Sequence, residues 1–151
     1  MKNKTYLLRK HEFSGTLFYE FQPGKYDFRT GKQHLDTSVY LYDYLDYSAM
    51  RVFAYLLSAF DMCGVTLIDE ISGQEFIEKL LRLSVLLAEG KKISEALENM
   101  GVLSFVPEWS FVEEKSFAVL DPKVLENTAQ ELACWIGNAL TAHKMVSILG
   151  I

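Results

Sequence analysis

The run from Leu132 to Ala142 contains no charged side chain, and it continues a pattern that begins at Asp121-Pro122. An aspartate can cap a first helical turn, and a proline just after it gives up an amide that the turn leaves unbonded anyway. From there Leu125, Ala129, Leu132, Ile136, Ala139 and Leu140 follow at helical spacing. A helix this apolar has to be covered by other layers. Gly137 would let a neighbouring element come close to it. The predicted architecture is α+β, with residues 1 to 151 as a single domain. A largely antiparallel sheet packs against about four helices, and the C-terminal helix is buried.

Three more helices are expected. One starts near Asp46 or Ser48, carries Met50, Phe53, Ala54, Leu57 and Phe60 on one face, and stops at Gly64. Ser72-Gly-Gln-Glu75 fits a capping box and opens a second, with Phe76, Ile77, Leu80, Leu81, Leu83 and Leu87 inward and Gly90 as its end. A third runs from Ile93 to Met100 and is closed by Gly101. Strands are expected at Thr5 to Arg9 and at Gly15 to Phe21, where Leu17, Tyr19 and Phe21 alternate with Thr16, Phe18 and Glu20. Tyr26 to Thr30 alternates again, which predicts a hairpin about Pro23-Gly24-Lys25. Val65 to Ile68 is a short strand, and Val102 to Val106 and Trp109 to Leu120 form two more about Pro107-Glu108.

Half of the residues are hydrophobic and 23% are charged, a globular composition. The charge-free runs are shorter than the roughly 18 to 20 residues of a membrane span, and Thr5 to Leu8 is too short for a signal-peptide core. The expectation is a cytoplasmic chain with no membrane and no nucleic acid among its partners, and with no cofactor. Cys63 and Cys134 stand alone, as buried thiols of a reducing compartment do. Cys134 and His143 lie nine residues apart on one helix, hence on opposite faces, and form no nucleophile–base pair. Thr30-Gly31-Lys32 lacks the earlier glycine and the hydroxyl of a phosphate loop. His11, His34 and His143 have no metal-ligand spacing, and His143 continues the apolar stripe as a buried or capping residue. Asp69-Glu70 and Glu113-Glu114, if on strands, point to opposite faces. Trp109, Phe111, Phe18 and Phe28 read as core.

Charge is distributed unevenly. Residues 1 to 32 carry a balance of +4 and the remainder −9, for a total of −5. From Asp36 to Glu78 there are eight acids and one base, Arg51. Within this field lies Asp36-Thr-Ser-Val-Tyr-Leu-Tyr-Asp-Tyr-Leu-Asp-Tyr47, which holds four of the eight tyrosines. As a strand it sets Tyr40, Tyr42 and Tyr44 on one face; as a helix it lines up Asp36, Tyr40, Asp43 and Tyr47. The dense, alternating Val and Tyr favour the strand. Asp36, Tyr40, Tyr42, Asp43, Tyr44, Asp46 and Tyr47 are the candidate partner-binding residues. Tyrosine offers large area at low entropy cost, and aspartate steers toward cationic partners. In size, acidity and this Tyr/Asp face the chain resembles the immunity proteins of bacterial contact-dependent inhibition and related toxin systems. The resemblance implies a protein without catalytic activity that neutralises a cognate toxin domain with a basic surface, commonly a nuclease. The alternative is a small enzyme, or a small-ligand sensor, whose site is assembled only by folding.

Overall fold

A computed structural model of the chain describes residues 4–12, 19–41, 48–57, 60, 64–102 and 117–150. Among these, five strands and four helices follow in the order β1 (Leu7–Leu8), β2 (Tyr19–Pro23), β3 (Val39–Leu41), α1 (Ser48–Tyr55), β4 (Val65–Ile68), α2 (Glu70–Ala88), α3 (Ile93–Asn99), α4 (Pro122–His143) and β5 (Val146–Leu149). The strands form one antiparallel sheet in the order β1-β3-β2-β5-β4. The α+β reading with a long C-terminal helix against the sheet therefore holds.

The register separates the two faces of the sheet. Tyr19 stands opposite Leu41, and Phe21 opposite both Val39 and Ile148. With Leu7, Ile68 and Val146, they enter one apolar cluster that includes Phe76, Leu80 and Leu83 of α2 and Leu132 and Ile136 of α4. Burying a side chain of this size contributes roughly 1.5 to 3 kcal/mol, so this face supplies the bulk of the cohesion. α2 and α4 meet closely at Gly73. A Cβ there would run into Leu140 Cδ1 and lie 3.1 Å from Ile68 Cγ2. The close approach belongs to Gly73 rather than to Gly137, where an added Cβ would meet Ile77 at an ordinary 3.9 Å.

Helix ends follow local chemistry. Asp121 accepts from the amides of Lys123 and Val124, with Pro122 in the first turn. α4 ends where Lys144 turns left-handed at φ 66°, and the chain then enters β5. α2 begins three residues before the expected box. Asp69 Oδ1 accepts the Ser72 amide at 2.8 Å, and Ser72 Oγ accepts the Asp69 amide at 3.1 Å. The reciprocal pair is thus Asp69/Ser72, with Ser72 inside the helix. Gly90 and Gly101, at φ 88° and 75°, turn the chain out of α2 and α3 as expected.

Other expectations need correction. No hairpin spans Pro23-Gly24-Lys25, because both edges of β2 are already occupied by β3 and β5. Tyr26 to Thr30 instead belongs to a turn, in which the Gly31 amide bonds Asp27 O at 2.9 Å. β5, which no sequence pattern announces, is an interior strand of the sheet. α1 ends at Tyr55; Ala49, Val52, Phe53 and, just past its end, Leu56 are buried, while Ala54 is partly exposed and Leu57 and Phe60 pack partly buried against the core. On α2, Leu81 faces outward, while Ser84 and Leu86 are buried. Phe117 to Leu120 form a turn in place of a strand end, with the Leu120 amide on Phe117 O. The remainder of the two strands expected about Pro107 lies at 103–116, outside the described residues.

Candidate functional site

The sheet's second face is polar. Glu20 of β2 stands beside Tyr40 of β3, and Gln22 of β2 beside Ser147 of β5. All four side chains are buried, and the cover over them is the segment 24–38. A buried carboxylate is tolerated only where donors surround it, and here they do. Glu20 Oε1 accepts from Ser38 Oγ at 2.8 Å, the Leu35 amide at 3.1 Å, Gln22 Nε2 at 3.2 Å and the Tyr40 hydroxyl at 3.5 Å. Oε2 accepts the His34 amide at 3.0 Å.

The other polar groups complete the fastening. Gln22 Nε2 also reaches Lys32 O at 3.1 Å. Ser147 Oγ accepts the Tyr26 amide at 2.7 Å and donates to Gly24 O at 2.8 Å. His34 is held at φ 59°, a left-handed conformation that costs a non-glycine residue free energy. Its amide bond to Glu20 offsets that cost. The Tyr40 phenol is pushed well above its ordinary range, first by burial and then by the neighbouring Glu20 charge. At neutral pH it is a hydrogen-bond donor. Tyr40 is 0% exposed and Glu20 2%, so neither touches a ligand from outside. The chemistry of this cluster is to hold segment 24–38 in one shape.

Of the candidate residues from the sequence, the structure describes Asp36 and Tyr40, and these two do not share an exposed face. Tyr40 is interior, which removes it from any exposed surface: its strand is covered on both sides. Asp36 is exposed, with its carboxylate accepting from Lys10 Nζ at 3.1 Å. The chain enters β3 from Asp36 and leaves it beyond Leu41, at the strand's other end. Tyr42, Asp43, Tyr44, Asp46 and Tyr47 lie outside the described residues. Glu20, Gln22 and Ser147 were missed because an acid, an amide and a hydroxyl on alternate strand positions read as solvent-facing. The one available signal was the long turn-rich segment after β2, which needs something to bond its amides.

A second exposed feature lies on the opposite side of the sheet. Ile71, Leu81 and Val85 of α2 are 81%, 45% and 48% exposed. At about 100° per residue they fall within one arc of the helix together with Gln74, Glu75 and Glu78. Next to this arc, a small cleft of about 70 Å3 between α2 and β4 is lined by Leu67, Ile68, Ser72, Glu75, Phe76 and Lys79, among others. β4 is an edge strand of the described sheet, and its Leu67 is 38% exposed. Asp69, Glu70, Glu75 and Glu78 are all exposed, so the described carboxylates of this acidic stretch lie at the surface.

The thiol and imidazole expectations also change. Cys134 is free and exposed on α4 rather than buried, with Asn138 Nδ2 3.9 Å from its sulfur. His143 is exposed in the last turn of α4, off the apolar stripe. Phe28, expected in the core, is 65% exposed. Among the described residues, no group of three His, Cys, Asp or Glu side chains is placed to hold a metal ion. No helix among them is long and apolar enough to cross a membrane. Comparison with family models, with curated proteins and with solved structures found no match to this chain.

Proposed function

We propose that this chain is a non-enzymatic binding protein that neutralises a cognate toxin domain by covering its basic, phosphate-handling surface. The observation that carries the reading is the outer face of α2. Ile71, Leu81 and Val85 stand exposed on a regular 19-residue helix, with Glu75 and Glu78 among them and Glu70 beside them. Apolar anchors within a polar, water-excluding rim are the usual anatomy of an interface. Arg82 shares the arc and Lys144 Nζ lies 3.8 Å from Glu70, so the acids Glu75 and Glu78 carry the steering toward a cationic partner that the reading needs. A rigid helix presents these groups with little ordering cost on binding. Asp43 and Asp46 continue the acidic run in the sequence and belong to the proposal on that ground, whereas Asp36 lies with segment 24–38 across the sheet and accepts from Lys10 Nζ.

The test is capture from the native host followed by inhibition. Wild-type chain should retain one basic protein in stoichiometric amount and suppress that protein's toxicity or nuclease activity. Glu75→Lys/Glu78→Lys should lower the association rate at least tenfold at low salt and reduce its salt dependence. Asp43→Lys/Asp46→Lys, measured beside it, reports whether the Tyr/Asp stretch shares the interface. A captured partner whose activity is untouched by the chain would sink the neutralising role. Full binding by the α2 variant would move the interface elsewhere.

A further inference from the structure

We propose that the outer side of residues 25–33 is a separate docking surface for an acidic peptide segment that carries a bulky apolar side chain. It lies across the sheet from α2 and has the opposite charge preference, so it stands independently of the toxin-binding reading.

Three observations carry it. The segment is anchored at its two ends: Tyr26 N and the preceding Gly24 O bond buried Ser147, Lys32 O bonds buried Gln22, and the following His34 and Leu35 amides bond buried Glu20, all on interior strands. Those side chains spend their bonding capacity on the loop's amides and carbonyls, leaving its side chains outward. A loop fastened to a rigid sheet is the arrangement that recognition surfaces use. Local bonds finish the shape. The Asp27 carboxylate accepts the Arg29 amide at 2.9 Å, and Gly31, at φ 59°, sits where an added Cβ would lie 3.5 Å from the Tyr26 hydroxyl oxygen.

The displayed chemistry is aromatic and basic. Tyr26 and Phe28 meet edge to face at 5.0 Å, and Phe28 remains 65% exposed. An open hollow of about 360 Å3 is lined by Lys25, Tyr26, Asp27, Phe28 and Arg29. Within 25–33 three bases, Lys25, Arg29 and Lys32, stand against the single acid Asp27. That acid lies 3.7 Å from Arg29 Nε and offsets one of the three charges, which leaves the segment a balance of +2. The result is a positive island on a chain of net charge −5. An apolar side chain would lie on the Phe28 ring, with flanking carboxylates toward Lys25, Arg29 and Lys32. Arginine and aromatic side chains are the residues most enriched in binding hot spots. A nucleic-acid strand is disfavoured by the acidic remainder of the chain, and three cations are few for it.

The experiment is selection from a random twelve-residue phage-displayed peptide library on the full chain, beside Phe28→Ala/Arg29→Ala. Both replaced side chains are solvent-facing, so this variant keeps the fold. Expected are sequences with Asp or Glu flanking Leu, Phe or Trp. The synthesised peptides should bind the double variant at least tenfold more weakly, a hot-spot-sized loss. Glu20→Gln should weaken them about as much through the loop, with faster exchange of the His34 and Leu35 amides and unchanged far-ultraviolet dichroism. Should Glu20→Gln fail to fold, the Phe28/Arg29 pair decides alone. Enrichment that ignores the double variant, basic consensus sequences, no enrichment at all, or loop-dependent binding of a twelve-nucleotide oligothymidine in place of peptide would each overturn the proposal.

Discussion

Glu20 and Phe21 are neighbours in one strand, both buried, and they are held by unlike physics. Phe21 enters a pool of side chains from both long helices, where attraction has no direction and a neighbour of similar volume can serve. Glu20 takes two backbone amides and the Ser38 hydroxyl from the loop, and the Gln22 amide and Tyr40 hydroxyl from the sheet beside it. Its partners need an acceptor at a fixed place. One face of the sheet therefore responds to volume and the other to hydrogen-bond geometry, and substitutions can tell them apart.

The largest effect is expected on the apolar face. Phe21→Ala should cost about 3 to 5 kcal/mol, measured by urea unfolding, while Phe21→Leu should cost much less. Next comes Glu20→Ala, which strands buried donors at about 1 to 3 kcal/mol each and should cost about 3 kcal/mol in total. If Glu20→Ala changed stability by less than about 0.5 kcal/mol, the polar face would be ornamental and the contrast would collapse. Exchange should also separate them: Glu20→Ala frees amides in 24–38 first, whereas Phe21→Ala weakens protection throughout the sheet and α4. Gly73→Ala comes third. Alanine normally favours a helix, but the added methyl meets Leu140, so a loss of about 1 to 3 kcal/mol is expected. A gain there would show that the two long helices can part easily.

The smallest effect distinguishes the faces by pH. The Tyr40 phenol is raised above its ordinary value of 10.0, with burial as the leading cause. Below pH 10 it is neutral whether the chain is folded or not. Above pH 10 the unfolded chain sheds this proton while the folded chain keeps it, so stability falls as pH rises toward the folded value. Tyr40→Phe cannot ionise. Relative to wild type it should gain stability above pH 10, and near pH 7 it should lose no more than about 1 kcal/mol, given the long 3.5 Å bond. A constant difference from pH 7 to 11, read from paired denaturation curves, would place the phenol in contact with water.

The legible parts of this fold carried local signals. α3 and α4 could be read from their glycine or aspartate–proline ends and their 3.6-residue spacing, and α2 from its stripe, though its cap was set three residues late. Sheet pairing was not legible, because β2 finds its neighbours near residues 40 and 148 rather than across the Pro23-Gly24 turn. β5 was passed over because it is four residues long and follows a helix directly. At the site, Tyr40 was taken for an exposed tyrosine because a period-two pattern cannot say which face is covered. Nothing in the sequence singles out Glu20, because its chief partners are main-chain amides, which no residue type advertises. In the sequence Leu81 and Phe28 read as core, since exposed apolar residues look like any others until the packing is known.

Phe21 pairs with Ile148, which lies 127 residues further along the chain, and β5 alone joins β2 to β4 in the sheet. A ribosome extends a chain by about 5 to 20 residues per second, and such distant pairings form slowly. For the whole of that synthesis β2 lacks one neighbour and β4 has none within the sheet, so two hydrogen-bonding edges stand open in the nascent chain. The sheet closes only once residues 146–149 have left the exit tunnel, so the edges of β2 and β4 that β5 covers stay open through the emergence of everything before it.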